Sequence, residues 1–286
     1  MIYLLLGLAT VTVTCQDIFK KKYIVRAGGG IFFFGGVVAL FAVLWFACFN
    51  RDWTWNPALM IPSVGFALSY ATATVCSVLA IRHGSLAKTA LIVSCSLLVP
   101  SFYGVLFLKE SISVKLILGL ILLVIALALV NYEKEAKGSQ PTTWKWVLFA
   151  SLAFVGNGMC STVQKAEQIR FGEAGKNVFM IMALAMVSLF LFLLSFFIKE
   201  ERRLWKSTLK IGWHWGLLCG VANGLTNSLV MYLNPLVAAS VMFPVISGGG
   251  IVLNFLYATT FLKEKFNLRQ KLGFLIGLIS VILLNL

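Results

Sequence analysis

The chain has 286 residues, 60% of them hydrophobic, and a mean hydropathy of +0.93. A water-soluble domain of this size cannot bury so much apolar surface, so the composition excludes a soluble enzyme or binding module and makes lipid the solvent. The formal net charge is +14, but the basic residues sit in short clusters between apolar runs. With no basic arm and no aromatic-basic platform, this pattern orients helices in a membrane and does not bind nucleic acid.

A bilayer core about 30 Å thick takes about 20 apolar residues per helix. In chain order the apolar runs predict ten membrane segments, at 2–19, 29–49, 57–81, 85–108, 112–132, 144–164, 176–198, 210–232, 236–262 and 266–286. Continuous runs of this length fit helices and not barrel strands. The first run has no basic residues before it and no small-x-small site after it, so it is expected to be a retained helix and not a signal peptide. Pro57, Pro141 and Pro235 stand at or just before predicted helix starts, where a missing N–H costs little. Trp45, Trp53, Trp55, Trp144, Trp146, Trp205, Trp213 and Trp215 gather at predicted segment ends, as an interfacial belt does.

The tetrapeptide Phe107-Leu108-Lys109-Glu110 recurs 154 residues later as Phe261-Leu262-Lys263-Glu264. The register continues with Leu118-Gly119 opposite Leu272-Gly273, Ile125 opposite Ile279, Leu129 opposite Leu283 and Asn131 opposite Asn285. Leucine bias accounts for some of these matches, but not for Lys, Glu, Gly and Asn recurring together. An internal duplication follows: 1–132 as a first repeat, 133–143 as a polar linker and 144–286 as a second repeat. Five segments per repeat is an odd number, so the two copies are expected to lie in opposite orientations, as inverted repeats. The fold class expected is all-α integral membrane, with ten transmembrane helices. Alternate loops carry 18 and 6 Lys and Arg residues. Placing the heavier set in the cytoplasm puts both termini outside a multi-pass protein of the cell membrane.

These marks together resemble the drug/metabolite transporter superfamily, and within it the ten-helix EamA-type carriers. The resemblance covers the whole chain. It rests on the two five-segment halves, on Glu110 and Glu264 closing segments four and nine, and on Gly119 and Gly273 about nine residues later. Gln16-Asp17-Ile18-Phe19-Lys20 and Gln164-Lys165 at the ends of segments one and six add to it. It implies a midplane substrate site between the repeats, with segments five and ten to the side. Segments five and ten are here almost purely Leu, Ile, Val and Ala.

Polar residues inside a span are costly, so they mark either a cavity or helix-helix contact. Stripes at helical spacing supply the candidates for a solute cavity. They are Tyr70 and Thr74 (with Ser77) on segment three, Ser94 and Ser101 on four, and Asn157, Ser161 and Gln164 on six. Asn223 and Asn227 follow on eight, then Ser247, Asn254 and Tyr257 (with Ser240) on nine. Interhelical hydrogen bonding without a ligand is the plain alternative, above all for Ser and Thr, whose hydroxyls bond their own helix carbonyls. Pro100 and Pro244, with Gly248, Gly249 and Gly250, are candidate hinges or close-packing points.

Asp17 reads as the one acidic residue inside a span. It is a candidate coupling site, or an interfacial charge paired with the following lysines. Lys88 either snorkels to the interface or holds an anionic group. Glu110 and Glu264 read as helix-end caps that pair with Lys115 and Arg269. Cys15, Cys48, Cys76, Cys95, Cys160 and Cys219 are scattered and His83 and His214 stand apart, so no metal site, disulfide framework or cofactor is expected. The chain has no GxSxG and no P-loop, so neither a catalytic site nor a primary pump is expected. The expectation is a monomeric permease that moves a small polar or amphipathic metabolite, amino-acid- or nucleoside-like, by alternating access. The alternatives are a broad-specificity multidrug exporter and a membrane scaffold without flux.

Overall fold

The structure is a computed structural model, and it describes residues 1–27, 30–50, 53, 56–83, 89, 92–130, 143–172, 175–261 and 267–285. Among these, all regular structure is helical: α1 (Ile2–Ala27), α2 (Ile31–Phe49), α3 (Met60–His83), α4 (Leu98–Phe107), α5 (Val114–Val130), α6 (Trp144–Phe171), α7 (Lys176–Phe197), α8 (Lys199–Ser207), α9 (Trp213–Leu233), α10 (Ala239–Thr260) and α11 (Leu268–Asn285). Seven helical stretches are long and apolar enough to cross a membrane: α1, α2, α3 with its lead-in turn, α6, α7, the run from α8 through α9, and α10. The chain is a multi-pass helical membrane protein. α4 and α5 are shorter apolar helices.

Three helix boundaries differ from the apolar runs. α1 continues to Ala27 and not 19, through Lys20, Lys21 and Lys22. Lysine is a good helix former, and its stem lets the charge reach water from a continuing helix. α6 continues to Phe171 and not 164. The stretch between segments seven and eight contains α8, with Glu200 and Glu201 in its first turn and Lys206 in its last. That order suits the helix dipole, and none of its side chains is buried.

The chain forms two compact units, Met1–Ala71 with Ala166–Pro235, and Thr72–Lys165 with Leu236–Leu286. Each unit takes residues from both sides of the predicted linker, which itself lies outside the described residues except Thr143.

In the first unit α1 packs on α9, α9 on α2, and α2 on α7. Glycine permits the closest of these approaches. Gly216, Gly220 and Gly224 line one face of α9, and a Cβ on them would meet, in turn, the side chain of Val37, the Val38 carbonyl at 2.8 Å and the Trp45 ring. Gly35 and Gly36 of α2 stand likewise against Leu191 and Phe192, and the Ser188 hydroxyl donates to the Gly36 carbonyl at 2.9 Å. Small residues let helix backbones meet where lipid offers no hydrophobic drive to association. α8 is tied to this unit by Glu201, whose Oε2 accepts from the Phe32 and Phe33 amides (3.1 and 3.2 Å) at the N-terminus of α2.

In the second unit α5 packs along α11, α11 on α10, and α10 on α4. Leu116, Leu123, Leu127, Val245 and Leu284 form its core. Gly119 seats Leu284 and accepts the Ser280 hydroxyl at its carbonyl, at 2.8 Å.

Candidate functional site

In the first unit a chain of amides and hydroxyls joins α1 to α9. Thr12 and Gln16 are four apart on α1, so they share a face. Asn223, Thr226 and Asn227 lie opposite, at spacings of three and four on α9. The Thr226 hydroxyl lies 2.8 Å from that of Thr12 and also 2.8 Å from the Ala222 carbonyl. The Gln16 amide donates to the Thr226 oxygen at 2.8 Å, and Gln16 Oε1 accepts from the Asn223 amide at 2.9 Å. The Asn227 amide donates to the Asn223 Oδ1 and carbonyl at 3.0 and 2.9 Å. Thr12 and Thr226 are buried, while Gln16, Asn223 and Asn227 are half-buried. The amide end of this chain is therefore its more accessible part. Tyr70 is half-buried in the same unit.

In the second unit the Asn157 amide donates to the buried Ser96 hydroxyl at 2.6 Å. Ser101 is buried and donates to its own helix carbonyl at Leu97, 3.0 Å away. Thr74, Ser94, Ser161, Ser247, Asn254 and Tyr257 are half-buried, and Gln164 is buried. The Tyr257 ring stacks on Phe261 at 5.3 Å. Pro100 is buried in the first turn of α4, directly after the 3-10 turn Cys95–Leu97. Its ring would crowd the carbonyl four residues back, and the tighter turn is the local adjustment. Pro244 lies inside an unbroken α10. Gly248 faces Val281 and Leu123, Gly250 is buried and Gly249 half-buried. Lys88, Glu264 and Asn131 lie outside the described residues.

Ser240 departs from the cavity stripe. Its amide and hydroxyl both donate to Glu110 Oε2 (3.0 and 2.6 Å), and the Ala239 amide donates to Oε1 (2.7 Å). Glu110 thus caps the start of α10, a helix 129 residues further on. The first free amides of a helix carry partial positive charge, and a carboxylate there satisfies them. Lys165, expected in a loop, is buried in α6, and its ammonium donates to the Val237 carbonyl (2.7 Å) just ahead of that cap.

The acidic residue enclosed in a long apolar helix is not Asp17, which is exposed, but Glu167. Glu167 is 2% exposed, and neither of its carboxyl oxygens has a hydrogen-bond partner. Thr162, Gln164, Lys165, Glu167 and Gln168 make the end of α6 a buried polar stretch. Its charges look like a loop by hydropathy, which hid it from the sequence. Thr12 and Thr226 were not among the residues singled out from the sequence; the four-residue spacing of Thr12 and Gln16 within an apolar run was the signal that could have found them.

No family model matches the chain, and no curated protein does. One solved structure, named only "Crystal structure of protein", superposes with a TM-score of 0.74 over 98% of this chain and 94% of its own, at 9% sequence identity. At that identity the likeness is one of fold.

Proposed function

We propose that the chain is a secondary transporter resembling the EamA-type drug/metabolite carriers, with ten crossings arranged as two inverted five-helix repeats. It moves a small polar or amphipathic metabolite, amino-acid- or nucleoside-like, across the cell membrane by alternating access. It acts as a monomer with both termini outside. The observation that carries this reading is the Thr12–Thr226–Gln16–Asn223–Asn227 chain, a run of amides and hydroxyls built into two long apolar helices. Membrane helices hold such groups where they bond each other or a solute, and the half-buried amides have room for the second role.

Helix pairing within the units supports the repeat. Val114 opens α5 and Leu268 opens α11, 154 residues apart, which is the offset of the repeated tetrapeptide. These two helices pack along each other; so do α4 and α10, and so do α2 and α7. Each pair occupies corresponding places in the two halves, as a two-fold axis in the membrane plane requires.

A second reading, export of lipophilic cations, gains from the enclosed Glu167, since such exchange needs a deep carboxylate. Purified protein in liposomes separates the readings. Saturable flux confined to amino acids or nucleosides supports the first. Flux of many unrelated cations such as ethidium supports the second. No saturable flux with either set leaves a membrane scaffold and overturns both.

A further inference from the structure

The deeply buried carboxyl of Glu167 has no role in the amide chain, the helix caps or the core. Its two oxygens are fully enclosed, without a hydrogen-bond partner. The neighbouring cations are engaged elsewhere. The Lys165 ammonium donates to the Val237 carbonyl at 2.7 Å and interacts with Glu110. Arg170 is exposed, with its guanidinium 5.4 Å from the Phe171 ring centre. The Gln168 amide donates to the Gly172 carbonyl at 2.7 Å. No charged or titratable group among the described residues acts on the Glu167 carboxyl; burial alone does.

An anion enclosed without a partner is among the most expensive arrangements a protein can hold, and such a group is found neutralised instead. For a carboxylate with no cation at hand, the neutralising species is a proton. A glutamine would fill the same space without ionising. What glutamate adds is a proton that can leave.

Its place in the chain gives that proton a use. The chain passes between its two compact units at Ala71–Thr72, Lys165–Ala166 and Pro235–Leu236. Glu167 lies two residues beyond the second passage. On the transport reading, alternating access opens enclosed groups to each side of the membrane in turn.

We propose that Glu167 is a proton-binding site that couples solute movement to the proton gradient. Its carboxyl holds one proton while enclosed and gives it to water when the conformational change exposes it. The proton is regained from the opposite side before the next cycle. The coupling function rests on the transport reading above; the proton site does not.

Two measurements on the full-length protein in liposomes test this. The first needs no solute: infrared difference spectra of wild type and Glu167→Gln near neutral pH. A protonated-acid carbonyl band present in wild type and lost in Glu167→Gln is expected. Identical spectra overturn the proposal.

The second compares two kinds of flux over a panel of radiolabelled L-amino acids, uridine and ethidium. With Glu167→Gln, accumulation driven by a pH gradient is expected to fall at least tenfold, while solute exchange without a gradient persists. An equal fall in both marks a structural role and overturns the proposal. Where wild type moves no member of the panel, the transport reading fails and the infrared result still decides the proton site. Glu167→Asp guards against a folding failure, because it keeps a titratable acid. It is expected to retain gradient-driven accumulation and to shift the band; loss of accumulation with an unshifted band counts against the proposal.

Discussion

The Glu110 carboxylate accepts both the amide and the hydroxyl of Ser240, at 3.0 and 2.6 Å, and so fastens the end of α4 to the start of α10. The second oxygen takes the Ala239 amide at 2.7 Å. Lys109, just before it, adopts a left-handed backbone with φ 54°, and the Glu110 amide closes on the Gly104 carbonyl at 3.1 Å. Lys109 is thus a turn residue and Glu110 the cap that follows it.

Removing the cap leaves two helix amides without their acceptor. Glu110→Ala is expected to cost about 1–2 kcal/mol of stability, and Glu110→Gln less, because one acceptor oxygen survives. Lys109→Gly is expected to stabilise by about 1 kcal/mol, since a side chain at positive φ is strained. Thermal unfolding in detergent or nanodiscs measures both. A Glu110→Ala protein as stable as wild type contradicts the cap.

The α9 glycine ladder sets how near α9 comes to α2. Gly220→Ala forces its methyl into the Val38 carbonyl and is expected to cost about 1–3 kcal/mol, as overpacking does. Gly220→Leu is expected to prevent assembly. Gly7→Ala on α1 meets nothing within 4 Å and serves as the control, neutral or stabilising by about 1 kcal/mol. Equal melting temperatures for Gly220→Ala and the control contradict the close approach.

The amide chain predicts that Gln16 and Asn223 act as a pair. A double-mutant cycle with Gln16→Leu and Asn223→Leu is expected to give a coupling of about 0.6 kcal/mol, the average for hydrogen bonds in membranes. A solute site adds a second signature: saturable flux falls by more than this small stability loss explains. A cycle with no coupling removes the pair from the account.

Much of this fold is legible in the apolar runs. Among the described residues the seven long apolar helices fall on predicted segments, and the hydroxyls of Ser101, Thr162 and Thr259 bond their own helix carbonyls. What was not legible depends on who faces whom. Hydropathy treats every charge as a loop, so α6 was expected to stop before Lys165, and its enclosed Glu167 went unread. Asp17 drew attention because it stands inside the first run, yet α1 carries it to an exposed face. Ser240 keeps helical spacing with Ser247 and Asn254, but spacing cannot reveal a carboxylate arriving from Glu110.

Asp17 and Glu167 therefore make a contrast. Asp17→Asn, an exposed change, is expected to alter stability by no more than about 0.5 kcal/mol and to leave gradient-driven uptake in place. Loss of uptake in Asp17→Asn with normal protein levels would return the coupling role to α1.

In the proposed carrier the two halves of the chain lie upside down to each other in the membrane. Single cysteines placed at Lys109 and Lys263 in a background free of the six native cysteines test it most directly, with a membrane-impermeant maleimide applied to intact cells and to inverted vesicles. Labelling at 109 from outside and at 263 only from the cytoplasmic side is the expected result. Labelling of both positions from the same side contradicts it.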